Sequence, residues 1–366
     1  MRWVGQAVGA ILVLAVLQDV FFTVLFPASG HGLLRRPLAR WTWAGFRSLG
    51  RRLARARRRQ FLAYSGPVQI TVNLGAWILL LILGWALIFQ PALGMQITAS
   101  SGPTDRSLAT ALYYSGFVLT TLGVGDIVAR DGLYRLLTVI EAGIGFATVT
   151  MAITYFLSVY SALTQRKVSA AQLHHRTYGT GDAAALLAGL ARDGQLPGAV
   201  DELDSMAGFL QRALETHASY PVLRYFHQRH VYYALPRVLL VSFETATLLE
   251  VALDPHCYGH VIGSPAAAAL RAAARQLLAE LVPHSTARRP TPCEQQCWGR
   301  RCGRATDQLA AVGLRMRADQ DQVAADYVRA RAEWDQPLRS LAFAMVYDWR
   351  EIDPQTAGPR PDPPPR

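Results

Sequence analysis

The chain has 366 residues, of which 51% are apolar and only 17% charged, too apolar a mixture for a purely soluble protein. Its formal net charge of +11 is almost entirely arginine, since Lys167 is the single lysine; such charge suits nucleic-acid binding or membrane topology alike. Four cysteines, all beyond residue 250, exclude a disulfide-stapled miniature scaffold.

A membrane-crossing helix needs about 20 apolar residues, and Trp3 to Phe26 is the first stretch of that length. It begins Met1-Arg2 like a secretory leader, but it lacks a small-x-small cleavage site and keeps Asp19 among apolar neighbours. Residues 1–27 are therefore expected to remain as an N-terminal transmembrane helix. A carboxylate at that depth is costly, which places Asp19 at the interface or beside an arginine. Residues 28–66 form a basic amphipathic linker with ten arginines between Arg35 and Arg59. The nearly continuous run from Arg51 to Arg59 lacks the intervening lipid-facing residues of a voltage sensor.

Val68 to Phe89 is the second span and Leu133 to Leu163 the third, longer than a bilayer requires. Between them, Leu108 to Gly125 is apolar enough to enter the membrane but too polar at its end to cross it. Such a re-entrant loop must be sheltered by protein or line water. Arginine counts orient the set: residues 90–107 hold only Arg106, so the 28–66 linker is cytoplasmic. The N-terminus then lies outside the cell membrane and the chain beyond the third span returns to the cytosol. Most of the excess charge is thereby assigned to anionic headgroups rather than to nucleic acid.

Residues 165–352 read as a helical cytosolic domain. Val200, Leu203, Ala207, Leu210 and Leu214 repeat at helical spacing, and Ser264-Pro265 is an N-cap and N1 pair opening a helix to about Val282. Leu235 to Leu253 is strongly apolar, but Arg237, Glu244 and Glu250 favour a buried soluble helix over a fourth span. Tyr178-Gly-Thr-Gly-Asp182 lacks the preceding strand and third glycine of a dinucleotide site, and is expected to be a turn before a helix at Ala183. Residues 353–366, rich in proline, read as a disordered tail.

Cys293, Cys297 and Cys302, with His284, His256, Cys257 and His260, could supply zinc ligands, but their spacing matches no common zinc motif, and reduced thiols are expected. His174-His175, His227 and His230 read as surface or packed histidines. No constellation suggests catalysis or an organic cofactor, and the regulatory ligand is left open.

The re-entrant stretch ends Thr120-Thr121-Leu122-Gly123-Val124-Gly125-Asp126 and is preceded by Leu112-Tyr113-Tyr114-Ser115-Gly116-Phe117. This resembles the pore loop of the tetrameric potassium-channel superfamily, in particular bacterial channels with one pore loop between two helices. The resemblance implies an all-α membrane protein whose pore domain covers 67–164: outer helix 68–89, pore helix 108–120, filter 121–126 and inner helix 133–163. It implies a homotetramer in which the carbonyls of Thr121, Leu122, Gly123 and Val124 hold K+ as permeant ion and Gly125 finishes the filter. Tyr113, Tyr114, Phe117, Thr120, Asp126 and Glu141 would support the filter. Gly143 and Gly145 would let the inner helix pack closely or bend as a gating hinge, and Thr148, Thr154 and Tyr155 would contribute to the cavity wall.

Two positions depart from the family pattern. Val124 stands where an aromatic residue is usual, and Phe117 where some relatives have a bracing glutamate. Potassium selectivity is thus the expectation, with a weakly selective cation channel as its alternative. A rival of another class is a membrane-anchored signalling scaffold whose pore loop is vestigial.

Overall fold

The computed structural model describes residues 2–26, 35–283 and 288–356. The start of the linker (28–34), His284 and the tail from 357 onward lie outside the described residues. The chain is an all-α membrane protein with three segments long and apolar enough to cross a bilayer, Trp3–Leu25, Arg57–Ala92 and Gly132–Arg176. It divides into two compact units, the first formed by residues 1–54 and 64–161, the second by 55–63 and 162–366.

In the first unit, α1 (Arg2–Val20) runs into a π-helical turn at Phe21–Leu25 and is followed by α2 (Arg35–Arg51). The short α3 (Arg55–Ala63) belongs to the second unit. Then come α4 (Ser65–Phe89), β1 (Ile97–Ala99), α5 (Leu108–Leu119), β2 (Ile127–Ala129) and α6 (Gly132–Arg176). At about 1.5 Å per residue, α6 is about 68 Å long, more than twice the ~30 Å hydrocarbon thickness of a bilayer.

Helices α1 and α4 pack antiparallel through small residues. A Cβ on Gly9 would fall 2.4 Å from the Gly84 carbonyl oxygen, and one on Gly84 would fall 2.8 Å from Val13 Cγ2. The backbones therefore meet as they do where small residues mediate contact in lipid. At one end Gln6 Nε2 donates to the Ile88 carbonyl at 3.3 Å. At the other, the Trp77 indole donates to Asp19 Oδ2 at 2.8 Å. Asp19 is buried within this unit rather than open at a surface.

The two three-residue strands form an antiparallel hairpin with Thr98 opposite Val128. They close the loop that carries α5, so the chain leaving α5 is held at both ends. Strands this short leave no readable alternation, and the sequence reading did not include them.

The second unit is built around α9 (Leu235–Val251), reached through α7 (Ala183–Leu190) and α8 (Ala199–Ser219) and followed by α10 (Pro255–Ile262), α11 (Pro265–Leu281), α12 (Pro292–Ala311), α13 (Gln320–Ala344) and α14 (Trp349–Ile352). All of α9 except Arg237 and Glu250 is buried, which is how a helix apolar on every face behaves when it is the centre of a soluble bundle. Tyr178-Gly-Thr-Gly-Asp182 is the turn before α7: Tyr178, Gly179 and Gly181 all have positive φ, and Asp182 caps α7 by accepting from the Ala184 amide. The turn's Thr180 carbonyl receives Arg237, whose guanidinium fills the space a Cβ on Gly181 would occupy.

A cluster of carboxylates and arginines lies inside that bundle. Glu244 on α9 accepts from Tyr327 Oη at 2.6 Å and pairs with Arg331 and, at 3.4 Å, with Arg301. Both arginines also bind Asp353, at 2.5 and 2.6 Å, while Arg331 reaches Asp335 at 3.0 Å and lies over the Trp298 and Trp334 rings. This corrects the expected disorder from residue 353: Asp353 is fully buried, and 354–356 form a turn. Burial would raise its pKa, but Arg301 and Arg331 hold it down at about 2. A proline-rich composition could not show that its first residue is an ion-pair partner.

Candidate ion pathway

Helix α5 starts at a polar cap. Ser107 Oγ accepts from the Thr110 amide at 3.2 Å, and Asp105 accepts from both hydroxyls, at 2.6 and 2.7 Å. Its C-terminus turns through a Schellman motif. The Thr121 amide donates to the Val118 carbonyl and the Leu122 amide to the Phe117 carbonyl, each at 2.9 Å. That motif needs a left-handed residue, usually glycine, and here it is Thr121 at φ +57°. A threonine there costs about 1–2 kcal/mol in backbone strain.

The left-handed conformation recurs at Gly123 (φ +62°) and Gly125 (φ +80°), alternating with Leu122 and Val124. A Cβ on Gly123 would meet nothing within 4 Å of this chain, so glycine is required there for its dihedral and not for space. Residues 121–126 are all exposed on the single chain, Leu122 to 71% and Val124 to 48%. The result is a run of backbone whose handedness alternates, anchored at one end by the capped helix and at the other by β2.

The groove behind this run has a volume of about 520 Å³ and is lined by Tyr114, Phe117, Ile127, Arg135, Thr138 and the filter backbone. Tyr114 is buried and bonds Thr138 Oγ1 at 2.7 Å, while Thr138 donates to the Tyr134 carbonyl; the Tyr114 hydroxyl is thus the donor of the pair. Phe117 meets the Tyr113 and Tyr114 rings edge-on, both at 5.3 Å. Tyr113 lies within electrostatic reach of the Asp126 carboxylate. At the position where some relatives carry a glutamate brace, this chain therefore has an aromatic cluster.

Glu141 is fully buried and accepts from Ser115 Oγ at 2.5 Å, while its Oε2 has no hydrogen-bond partner. Ser115 was not among the expected site residues. The signal was present, because Ser115 and Glu141 are polar residues inside otherwise apolar helices, but their pairing is tertiary.

The two glycines of α6 differ. Gly143 is exposed, and a Cβ there would meet nothing. A Cβ on Gly145 would fall 1.9 Å from the Leu119 carbonyl oxygen at the end of α5, closer than any atom can approach. The helix is continuous through both, and Gly145 is packed against the end of α5. Thr148 and Tyr155 are buried within the chain, whereas Thr154 is exposed and donates to the Thr150 carbonyl at 3.1 Å.

Cys293, Cys297 and Cys302 lie along α12, exposed, half-buried and buried in turn. No group of three metal-ligating side chains gathers among the described residues. Burial, then Glu244, pushes the Cys302 thiol up to about 12, opposite to what a thiolate ligand needs.

A family model described as ion channel matches residues 75–162, the segment from α4 through the filter to α6. The chain is 35% identical over 160 residues to the uncharacterized membrane protein YdjJ of Bacillus subtilis (strain 168). The match covers 43% of this chain and 45% of that relative, so it spans less than half the length of either. No solved structure matches the chain.

Proposed function

We propose, from the premise that residues 75–162 belong to the ion channel family, that four copies of this chain form a membrane pore passing potassium through the Thr121 to Gly125 backbone. The observation that carries this is the alternation of left-handed residues at 121, 123 and 125 on an exposed strand. Alternating handedness aims successive carbonyls the same way, and converging rings of carbonyls replace the water shell of a cation. One chain supplies one side of such a ring, so a closed cyclic assembly is required. The carbonyls of Thr121, Leu122, Gly123 and Val124 are the ion ligands, and the carbonyl end of α5 adds a partial negative charge on the ion path.

The basic linker faces the cytoplasm and the second unit is cytosolic. Helix α2 supports this placement: Trp41 is 78% exposed beside exposed Arg40, Arg47 and Arg51, the pattern of a helix lying against anionic headgroups.

The test is potassium and sodium flux into liposomes holding the purified chain, with Gly123→Asp as control. Potassium uptake that exceeds sodium and vanishes in the variant supports a selective filter. A second reading rests on Val124, which has neither hydroxyl nor ring to fasten the filter to α5. Equal fluxes of the two ions decide for that weakly selective pore. A chain that stays monomeric by mass, or tetramers that pass neither ion, favour a scaffold.

A further inference from the structure

The second unit carries two buried arginines that are fully matched and one that is not. Arg301 and Arg331 are answered by Glu244, Asp335 and Asp353. Arg166, on the C-terminal part of α6, is only 6% exposed, and its Nε and Nη2 have no hydrogen-bond partner among the described residues. An ionised guanidinium taken out of water without a counter-charge is among the costliest arrangements a fold can hold.

The groups around Arg166 are mostly cationic or neutral. Tyr347 feels Arg166, Arg59 and Glu351. The His227 ring stacks on Tyr347 at 4.2 Å, is 5% exposed, and has an unpartnered Nδ1. Arg58 and Arg59 act on His227, and Arg166 and Arg224 act on His217. The nearby carboxylate, Glu351, is engaged by Arg59, and Arg224 donates to the Leu281 carbonyl at 2.7 Å. The Tyr347 hydroxyl accepts from the Gln228 amide at 2.8 Å, which leaves its own proton to donate. Burial pushes that hydroxyl up to about 12, so it stays protonated.

We propose that Arg166 and Tyr347 form an anion site for a phosphate group, carried on a lipid headgroup or free in solution. The guanidinium edge formed by Nε and Nη2 matches two oxygens of one oxyanion. The Tyr347 hydroxyl adds a donor for a third oxygen, which a phosphate has and a carboxylate lacks. The flanking cations suit a dianion. In sequence Arg166 follows Leu163, and Arg58 and Arg59 precede Val68, the ends of the apolar stretches read from the sequence, where headgroup phosphates lie.

The experiment is thermal unfolding of the full-length chain in an uncharged detergent at constant ionic strength. Inorganic phosphate is titrated against chloride in one arm, and mixed micelles of dioleoyl phosphatidic acid against phosphatidylcholine in the other. The expected result is a saturable rise in Tm of about 3–6 °C, absent in Arg166→Met and shifted at least about tenfold to weaker affinity in Tyr347→Phe. Stabilisation by inorganic phosphate assigns a soluble ligand; stabilisation by phosphatidic acid alone assigns the headgroup. Without ligand, Arg166→Met keeps or raises the Tm, because it removes an unmatched buried charge while keeping the apolar stem. A lowered Tm or failure to fold would mean that Arg166 is already satisfied, and overturns the proposal. So does the absence of stabilisation by either probe, or an equal rise in wild type and both variants.

Discussion

The two units treat exposed and buried polarity in opposite ways. In the helical unit the central carboxylate, Glu244, is answered within the same chain by Arg331, Arg301 and Tyr327, and its core needs no second copy. In the pore unit the most specialised backbone, residues 121–126, stands exposed on the single chain. The first arrangement makes a fold self-sufficient. The second leaves the polar groups available for something outside the chain, as the proposed ion pathway requires.

That contrast is sharpened first where a single atom decides. Gly145→Leu places a Cβ 1.9 Å from the Leu119 oxygen and is expected to abolish the folded pore, whereas Gly143→Leu, with open space around it, keeps the same elution volume in detergent as wild type. Next, Glu244→Gln leaves Arg331 and Arg301 underpaired in the core and should cost about 3–5 kcal/mol, read as a lowered Tm of the full chain. If its Tm is unchanged, the ion cluster is dispensable and the helical unit is held by apolar packing alone.

Proton linkage gives the third effect. Burial, then nearby arginines, lowers His217 to about 4; His227 is also held at about 4, chiefly by burial. Their folded pKa values lie below the unfolded value, so the unfolded chain binds more protons between pH 6.5 and 4. Stability falls as pH drops through that window, by up to about 3 kcal/mol for each histidine. Asp353 acts lower: its contribution is complete above about pH 4 and is lost as pH falls toward 2. Tm measured against pH should flatten between 6.5 and 4 in His227→Gln, and a slope identical to wild type would show that His227 titrates normally. The smallest effect is Trp77→Phe, which removes the indole donor to Asp19 and should cost about 1–2 kcal/mol, seen as a modest Tm decrease.

Much of the architecture was legible because it is written in long-range hydropathy. The three apolar spans, the short apolar helix before Thr120 and the buried α9 with its internal Glu244 all follow from length, period and charge placement. The turn at Tyr178 to Asp182 was legible from glycine spacing. What could not be read joins residues far apart in sequence. Ser115 meets Glu141 26 positions on, and Glu244 meets Arg331 87 positions on. The β1–β2 hairpin has too few residues to show alternation. Asp353 was read with the prolines that follow it, because nothing local distinguishes an aspartate bound by two arginines from one in a solvated tail.

The seat that Gly145 makes for Leu119 also bears on how the pore unit moves. Where helices meet through side chains, a change of rotamer can absorb a displacement of an ångström or so. At this junction peptide group faces peptide group with no cushion between them. A shift of α6 there is handed to the end of α5 at the stiffness of the backbone itself, and from α5 to Thr121 and Leu122 through two 2.9 Å hydrogen bonds. Thr121 and the middle of α6 are in this sense one mechanical part.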